Sequence, residues 1–168
     1  RVLDDDSRVT HYVGVFHDNS ASKQYENRLR HLAGHDSLTE LANRATFEEH
    51  CREALAEARA CEGSLALLFI DLDGFKAVND SYGHQHGDRL LQQIATRIRS
   101  CMRDTDLVAR VGGDEFTILL RDLSIEGSDL QVSRKLLERI AEPVILDGRS
   151  LRVSASIGIS RYPEHAHD

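Results

Sequence analysis

Asp71-Leu-Asp73 ends the apolar run Leu65–Ile70, and alternation along an extended segment puts both carboxylates on one side. A carboxylate at the mouth of a central strand suits a hard cation such as Mg2+, which takes oxygen donors. Asp73 has a second reading, as N-cap of a short helix over 74–80, and for that residue the cap is the plainer one. An EF-hand is excluded, because Phe75 stands where that loop needs an oxygen ligand and Gly74 comes one place early. A second acidic segment is Gly112-Gly113-Asp114-Glu115. Its glycines allow a tight turn and close approach of a ligand, while its adjacent carboxylates repel unless something positive lies between them. Alone, such a tip is a solvated turn. Paired beside the Leu65–Ile70 strand, it would bring Asp114 toward Asp71. Metal-assisted phosphoryl transfer uses such a pair, since cations neutralise phosphate charge and help form an oxyanion nucleophile.

Between these lies a stretch running from Lys76 through Asn79, Asp80, Gly83, His84 and Gly87 to Asp88. An amide and a carboxylate on one small element could read the Watson–Crick edge of guanine, the carboxylate accepting from N1–H and N2–H. The plainer reading makes Asp88 the N-cap of the next helix and Asn79 a turn residue. His84 and His86 are not a convincing metal pair. Neither GxxxxGK[ST] nor GxGxxG occurs, so P-loop and Rossmann nucleotide binding are set aside.

The elements that must position these residues follow from periodicity. Val9–Phe16 is β-branched and aromatic and reads as one strand of a sheet lying elsewhere, after an acidic turn at Asp4–Ser7. Ser20–Ala33 reads as a helix with Tyr25, Leu29 and Leu32 on one face, serving equally well as a core-facing helix or a short coiled coil. A helix over 45–61 carries Phe47, Cys51, Leu55 and Ala58. Leu65–Ile70 reads as a central strand buried on both faces. A helix over 88–102 follows, and then a hairpin of 107–111 with 115–120. A helix over 128–140 stops before Pro143, and a second hairpin pairs 144–146 with 151–159 about Asp147-Gly148. That order predicts an α+β sheet with helices packed on it.

Composition agrees with a globular chain: 168 residues, 40% hydrophobic and 29% charged. With 21 Lys and Arg against 28 Asp and Glu, the net charge is −7, which argues against a nucleic-acid binder. The longest apolar run is far short of a bilayer span and no signal pattern is present, so no membrane contact is expected of this segment. The parent could still be membrane-tethered. Three widely spaced cysteines, Cys51, Cys61 and Cys101, form no zinc or CxxC spacing and read as reduced thiols of a cytoplasmic protein.

Several stretches, in order, resemble the GGDEF family of bacterial diguanylate cyclases from about residue 34 onward. They are Asp36-Ser-Leu-Thr-Glu-Leu-Ala-Asn-Arg44, Asp71-Leu-Asp-Gly-Phe-Lys-Ala-Val-Asn-Asp80, Gly83-His-Gln-His-Gly-Asp88, Arg110-Val-Gly-Gly-Asp-Glu-Phe116 and Ser154-Ala-Ser-Ile-Gly158. The resemblance implies a ferredoxin-like sheet of the nucleotide-cyclase and polymerase-palm type. It also implies condensation of two GTP into cyclic di-GMP and two pyrophosphates by a two-fold homodimer. Mg2+, or Mn2+ in its place, would be held by Asp71, the Leu72 carbonyl and Asp114, with Glu115 supporting. Catalytic roles fall on Asp114, Glu115 and Lys76, the lysine stabilising phosphate charge. The guanine readers fall on Asn79 and Asp88, with His84 nearby.

A product-inhibition motif, RxxD, is matched by Arg103 and Asp106, whose bland reading is surface charge pairing. Residues 1–19 resemble the last strand of a PAS domain and 20–34 its connecting helix, leaving 35–168 as the GGDEF domain. Two departures stand out. Glu40 replaces the usual Gly of DxLTGLxNR, and the family continues past this chain's end with a helix and a basic segment that contacts the triphosphate. A piece without them is expected to bind GTP poorly. The alternative reading is a silent GTP-binding domain that regulates an attached cyclic di-GMP phosphodiesterase.

Overall fold

The computed structural model describes residues 2–3, 9–11, 33–121, 123 and 127–165, in two units, Arg1–Ala33 and Gly34–Asp168. In the first unit, β1 (Val2–Leu3) pairs antiparallel with β2 (Val9–His11). The partner of Val9–His11 is therefore the short Val2–Leu3 segment, too short to show a strand period, and not only a sheet elsewhere. The rest of the expected strand, the acidic turn and nearly all of the helix expected over 20–33 lie outside the described residues.

The second unit is built on a four-stranded antiparallel sheet. Its strands are β3 (Leu65–Asp73), β4 (Leu107–Gly112), β5 (Glu115–Arg121) and β8 (Ser154–Tyr162), in the order β4-β5-β3-β8. Helix α1 (Arg44–Cys61) precedes β3; α2 (Phe75–Tyr82) and α3 (His84–Cys101) join β3 to β4; α4 (Ser128–Ala141) follows β5. A small hairpin, β6 (Val144–Leu146) with β7 (Arg149–Leu151), stands before β8. Two β-α-β passes with the long strands antiparallel give the ferredoxin-like arrangement. The expected strand 151–159 is in fact two, broken at Arg152-Val153, because Leu151 pairs back onto Val144 while Ser154 joins β3.

Alternation along β3 sets the layers. Ala66, Leu68, Ile70 and Leu72 are at most 1% exposed and pack with Leu90, Ile94 and Ile98 of α3 and Leu136 and Ile140 of α4. Each of these leucine and isoleucine side chains contributes about 1.5–3 kcal/mol on burial. The opposite face meets α1 through Phe47, Ala54 and Ala58, against Leu65, Ala109 and Leu119. That cover is incomplete: Phe69 is 52% exposed, so β3 is not buried on both faces along its whole length. At the sheet edge, Arg161 Nε donates to Asp129 Oδ2 at 2.7 Å. Burial would raise the Asp129 carboxyl, but the Arg161 guanidinium holds it below its usual range. The three thiols are free, and burial pushes that of Cys51 up to about 11.

Candidate functional site

Strand β3 does not stop at Ile70 but runs on through Asp71-Leu72-Asp73, paired with β5 as far as Asp71 and with β8 to its end. Asp71 lies opposite Glu115 of β5 and opposite Ser156 of β8. Leu72 is 1% exposed, whereas Asp71 and Asp73 are exposed on the other face, as alternation predicts. The hairpin β4–β5 therefore does sit beside the apolar strand, and its tip reaches the strand's end. There the Leu72 N–H donates to the Asp114 carbonyl at 3.3 Å. A residue in an extended strand points its N–H and C=O to the same side, so the Leu72 carbonyl also faces that tip. Asp71, Leu72, Asp114 and Glu115 come together at one end of the sheet. Among the described residues, no three His, Cys, Asp or Glu side chains are already clustered as a metal-holding group.

Asp73 is not a helix cap. Gly74 occupies the N-cap position of α2, and the Asp73 carboxylate instead accepts from Ser154 Oγ at 3.0 Å and Ser156 Oγ at 3.1 Å. The cross-strand hydroxyls of β8 draw it sideways along the sheet.

The tip is tied down by Arg110, a residue of the Arg110–Phe116 stretch with no expected role of its own. Arg110 Nη1 reaches both carboxylate oxygens of Asp36 at 2.9 and 3.1 Å, while its Nε and Nη2 donate to the Gly113 carbonyl at 2.9 and 2.8 Å. Burial pushes the Asp36 carboxyl up, but hydrogen bonds from Thr39 and Arg110 outweigh it and hold the group below its usual range. The segment carrying Asp36 runs alongside β4, with Ala42 N–H donating to Val108 and Arg110 N–H to Ala42. A signal for Arg110 was available: a cation inside the apolar run Leu107–Val111 must find partners there.

Lys76 is exposed in the first turn of α2, and Asn79 lies inside that helix, not in a turn. His84 begins α3, so Asp88 is its fifth residue and not its cap. Gly83, at φ 82°, joins the two helices: its N–H donates to Asn79 and its carbonyl accepts from His86 and Gly87. That left-handed backbone is why the helix starts four residues early with no polar cap to announce it. Asn79 packs on Gly87, where an added Cβ would fall 1.9 Å from Asn79 Oδ1. The same Oδ1 is buried without a hydrogen-bond partner.

Arg103 and Asp106 lie before β4, which runs six residues from Leu107 to Gly112, placing them roughly 20 Å from the tip at the usual strand rise. Asp106 is 8% exposed, and its Oδ2 accepts from the Arg103 backbone N–H at 2.9 Å. The expected surface pairing is thus a turn closed through the Arg103 backbone.

A cavity of about 450 Å3 opens at the site, lined by Asp71, Glu115, Phe69 and Ser156 among others. An antiparallel ferredoxin-like sheet with paired carboxylates at one end and an amide-bearing helix beside them defines an α+β domain of the nucleotide-cyclase and palm type. More narrowly, the chain belongs to the GGDEF family: the family described as "Diguanylate cyclase, GGDEF domain" matches residues 33–168. It is 47% identical over 148 residues to the diguanylate cyclase TpbB of Pseudomonas aeruginosa, spanning 87% of this chain and 34% of that protein. It is also 43% identical over 163 residues to the cyclic di-GMP phosphodiesterase NbdA of the same organism, spanning 97% of this chain and 20% of that protein. The solved GGDEF domain of TpbB superposes with a TM-score of 0.76 at 47% identity, covering 79% of this chain and 77% of that one. The chain thus spans about a third of one of these relatives and a fifth of the other. No helix among the described residues is long and apolar enough to cross a membrane.

Proposed function

We propose that this GGDEF domain is a diguanylate cyclase. In this reading the 3′-hydroxyl of each of two GTP molecules attacks the other's α-phosphorus, and pyrophosphate leaves from each. Two GTP then become cyclic di-GMP across a two-fold dimer. The observation that carries the reading is the register of Asp71 against Glu115, with the Leu72–Asp114 hydrogen bond closing the tip beside it.

Two carboxylates and a carbonyl make an all-oxygen donor set, which fits a hard divalent cation. Asp71, Leu72 and Asp114 would hold Mg2+, or Mn2+, with Glu115 supporting. Such an ion offsets charge on the phosphates and on the attacking oxygen. Lys76 stabilises phosphate charge, and Asn79 and Asp88, with His84 nearby, bind the guanine edge. Arg103 and Asp106 would take cyclic di-GMP as inhibitor, Asp106 leaving its turn to do so. Residues 1–19 would close a PAS domain, and 20–34 would couple it to the dimer of 35–168 in the cytoplasm.

A second reading has specific support in the match to NbdA along nearly the whole chain: a GTP-binding regulator of an attached phosphodiesterase. One assay separates them. The full-length protein is incubated with GTP and Mg2+, and cyclic di-GMP is measured. Product that disappears in Asp114→Ala is expected for the cyclase. Tight GTP binding without turnover points to the regulator, and absence of GTP binding overturns both.

A further inference from the structure

Helix α2 is only eight residues long, too short to hold its shape unaided. The β6–β7 hairpin props it from outside. The hairpin's tip is Asp147 at φ 51° and Gly148 at φ 76°, both left-handed, as a type I′ turn requires. From that tip the Asp147 carboxylate accepts from Arg89 Nη1 at 2.7 Å and lies 3.3 Å from His86 Nε2, both residues in the first two turns of α3. Two residues on, the Arg149 guanidinium sits 5.5 Å from the ring centroid of Tyr82, the last residue of α2. The Tyr82 and His86 rings lie 6.2 Å apart. The hairpin therefore grips Tyr82 before Gly83 and His86 and Arg89 after it. Its inner side chains Val144, Leu146 and Leu151 are at most 4% exposed in the main core, so the tip is anchored.

We propose that the β6–β7 hairpin is a positioning strut for the guanine-reading turn: by fixing Tyr82, His86 and Arg89 it presets Asn79 and Asp88, setting GTP affinity without touching the phosphates. This rests on the assignment of Asn79 and Asp88 to the base. Contacts of this exposure are weak singly. Acting together on one turn, they remove ordering that GTP binding would otherwise have to supply.

The test uses the full-length protein with GTP for kinetics and a non-hydrolysable GTP analogue for binding. Asp147→Gly removes the carboxylate while leaving a residue that accepts φ 51°, so the hairpin turn is retained. Arg149→Ala removes the cation over Tyr82. In the double variant, KM for GTP and Kd for the analogue are expected to rise about three- to tenfold, with kcat within about twofold, as loss of preorganisation implies. Unchanged KM and Kd would overturn the strut, as would a fall in kcat at constant KM. A wild-type protein that binds no GTP removes the guanine assignment and the strut with it, an outcome distinct from unaltered variants of a GTP-binding wild type.

Discussion

The two arms of the site are held in different ways. The acidic tip is fixed by sheet register on both sides of Asp71, by the Leu72–Asp114 hydrogen bond, and by a guanidinium fork from Arg110 that is only 13% exposed. The turn proposed to read guanine has no sheet bonds. Both of its helices start from glycine without a side-chain cap, and Asn79 Oδ1 is left buried and unpaired. A buried acceptor without a donor costs about 1–3 kcal/mol, which swinging the carboxamide toward a base would recover. Carboxylates that share a cation need a geometry set in advance, because charges held so close repel until it arrives. A base reader works by hydrogen bonds that ligand binding can complete.

Arg110→Ala should therefore produce the largest loss. It frees the Gly113 carbonyl and leaves Asp36 partly buried with fewer donors, costing about 1.5–3 kcal/mol for a charged hydrogen-bonded group. Displacing reacting groups by about 1 Å can cost on the order of a hundredfold in turnover. Cyclic di-GMP formation is expected to fall by that order while GTP still binds. The same variant has a pH signature. The folded pKa of Asp36 is depressed, so its stabilisation is present above the unfolded value and is lost as pH falls through the folded one. Denaturant melts at pH 7 and pH 3 should show a smaller acid-induced loss in Arg110→Ala than in wild type, because the unfolded value lies at about 3.9. Equal acid losses in the two proteins, or full turnover in the variant, would remove the fork from the tip's support.

Gly87→Ala addresses the other arm. In a helix interior this exchange normally gains up to about 1 kcal/mol. Here the new Cβ would fall 1.9 Å from Asn79 Oδ1 and 3.2 Å from Phe75 Cζ, so the carboxamide must move. Overpacking of this kind costs about 1–3 kcal/mol. GTP affinity should drop about tenfold, equivalent to about 1.4 kcal/mol, with kcat at saturating GTP nearly retained. Unaltered affinity, by titration calorimetry with a GTP analogue, would show that Asn79 needs no fixed place.

What could be read from sequence divides along the same line. Period-2 alternation was enough to put Asp71 and Asp73 on one face, and the glycine pair announced the hairpin whose tip meets them. The partner that captures Asp73 was not legible, since Ser154 and Ser156 are more than 80 positions away and meet it only through strand register. The early start of α3 was hidden because Gly83 supplies the turn through a positive φ and not through a capping side chain. The β7–β8 break was hidden for a similar reason: Leu151–Ile159 alternates as one strand, yet two different sheets compete for its ends.

The smallest effect is expected at Glu40. Glu40 adopts φ 60° and donates its N–H to the Asp36 carbonyl at 2.9 Å, closing the turn that carries Asp36. A left-handed conformation costs a non-glycine residue about 1–2 kcal/mol. Glycine relieves that cost but gives back part of it through greater freedom in the unfolded chain. Because the Glu40 side chain is exposed, its own contacts weigh little in the balance. Glu40→Gly should raise Tm by about 2–4 °C, as a gain near 1 kcal/mol does for a domain of this size, and leave turnover unchanged. Asp36 is already held by Thr39 and Arg110, so relieving the backbone four residues away gives the fork nothing to correct. A Tm gain with a parallel change in kcat would mean that strain in this turn does reach Gly113, and that the acidic arm is less fixed than its hydrogen bonds imply.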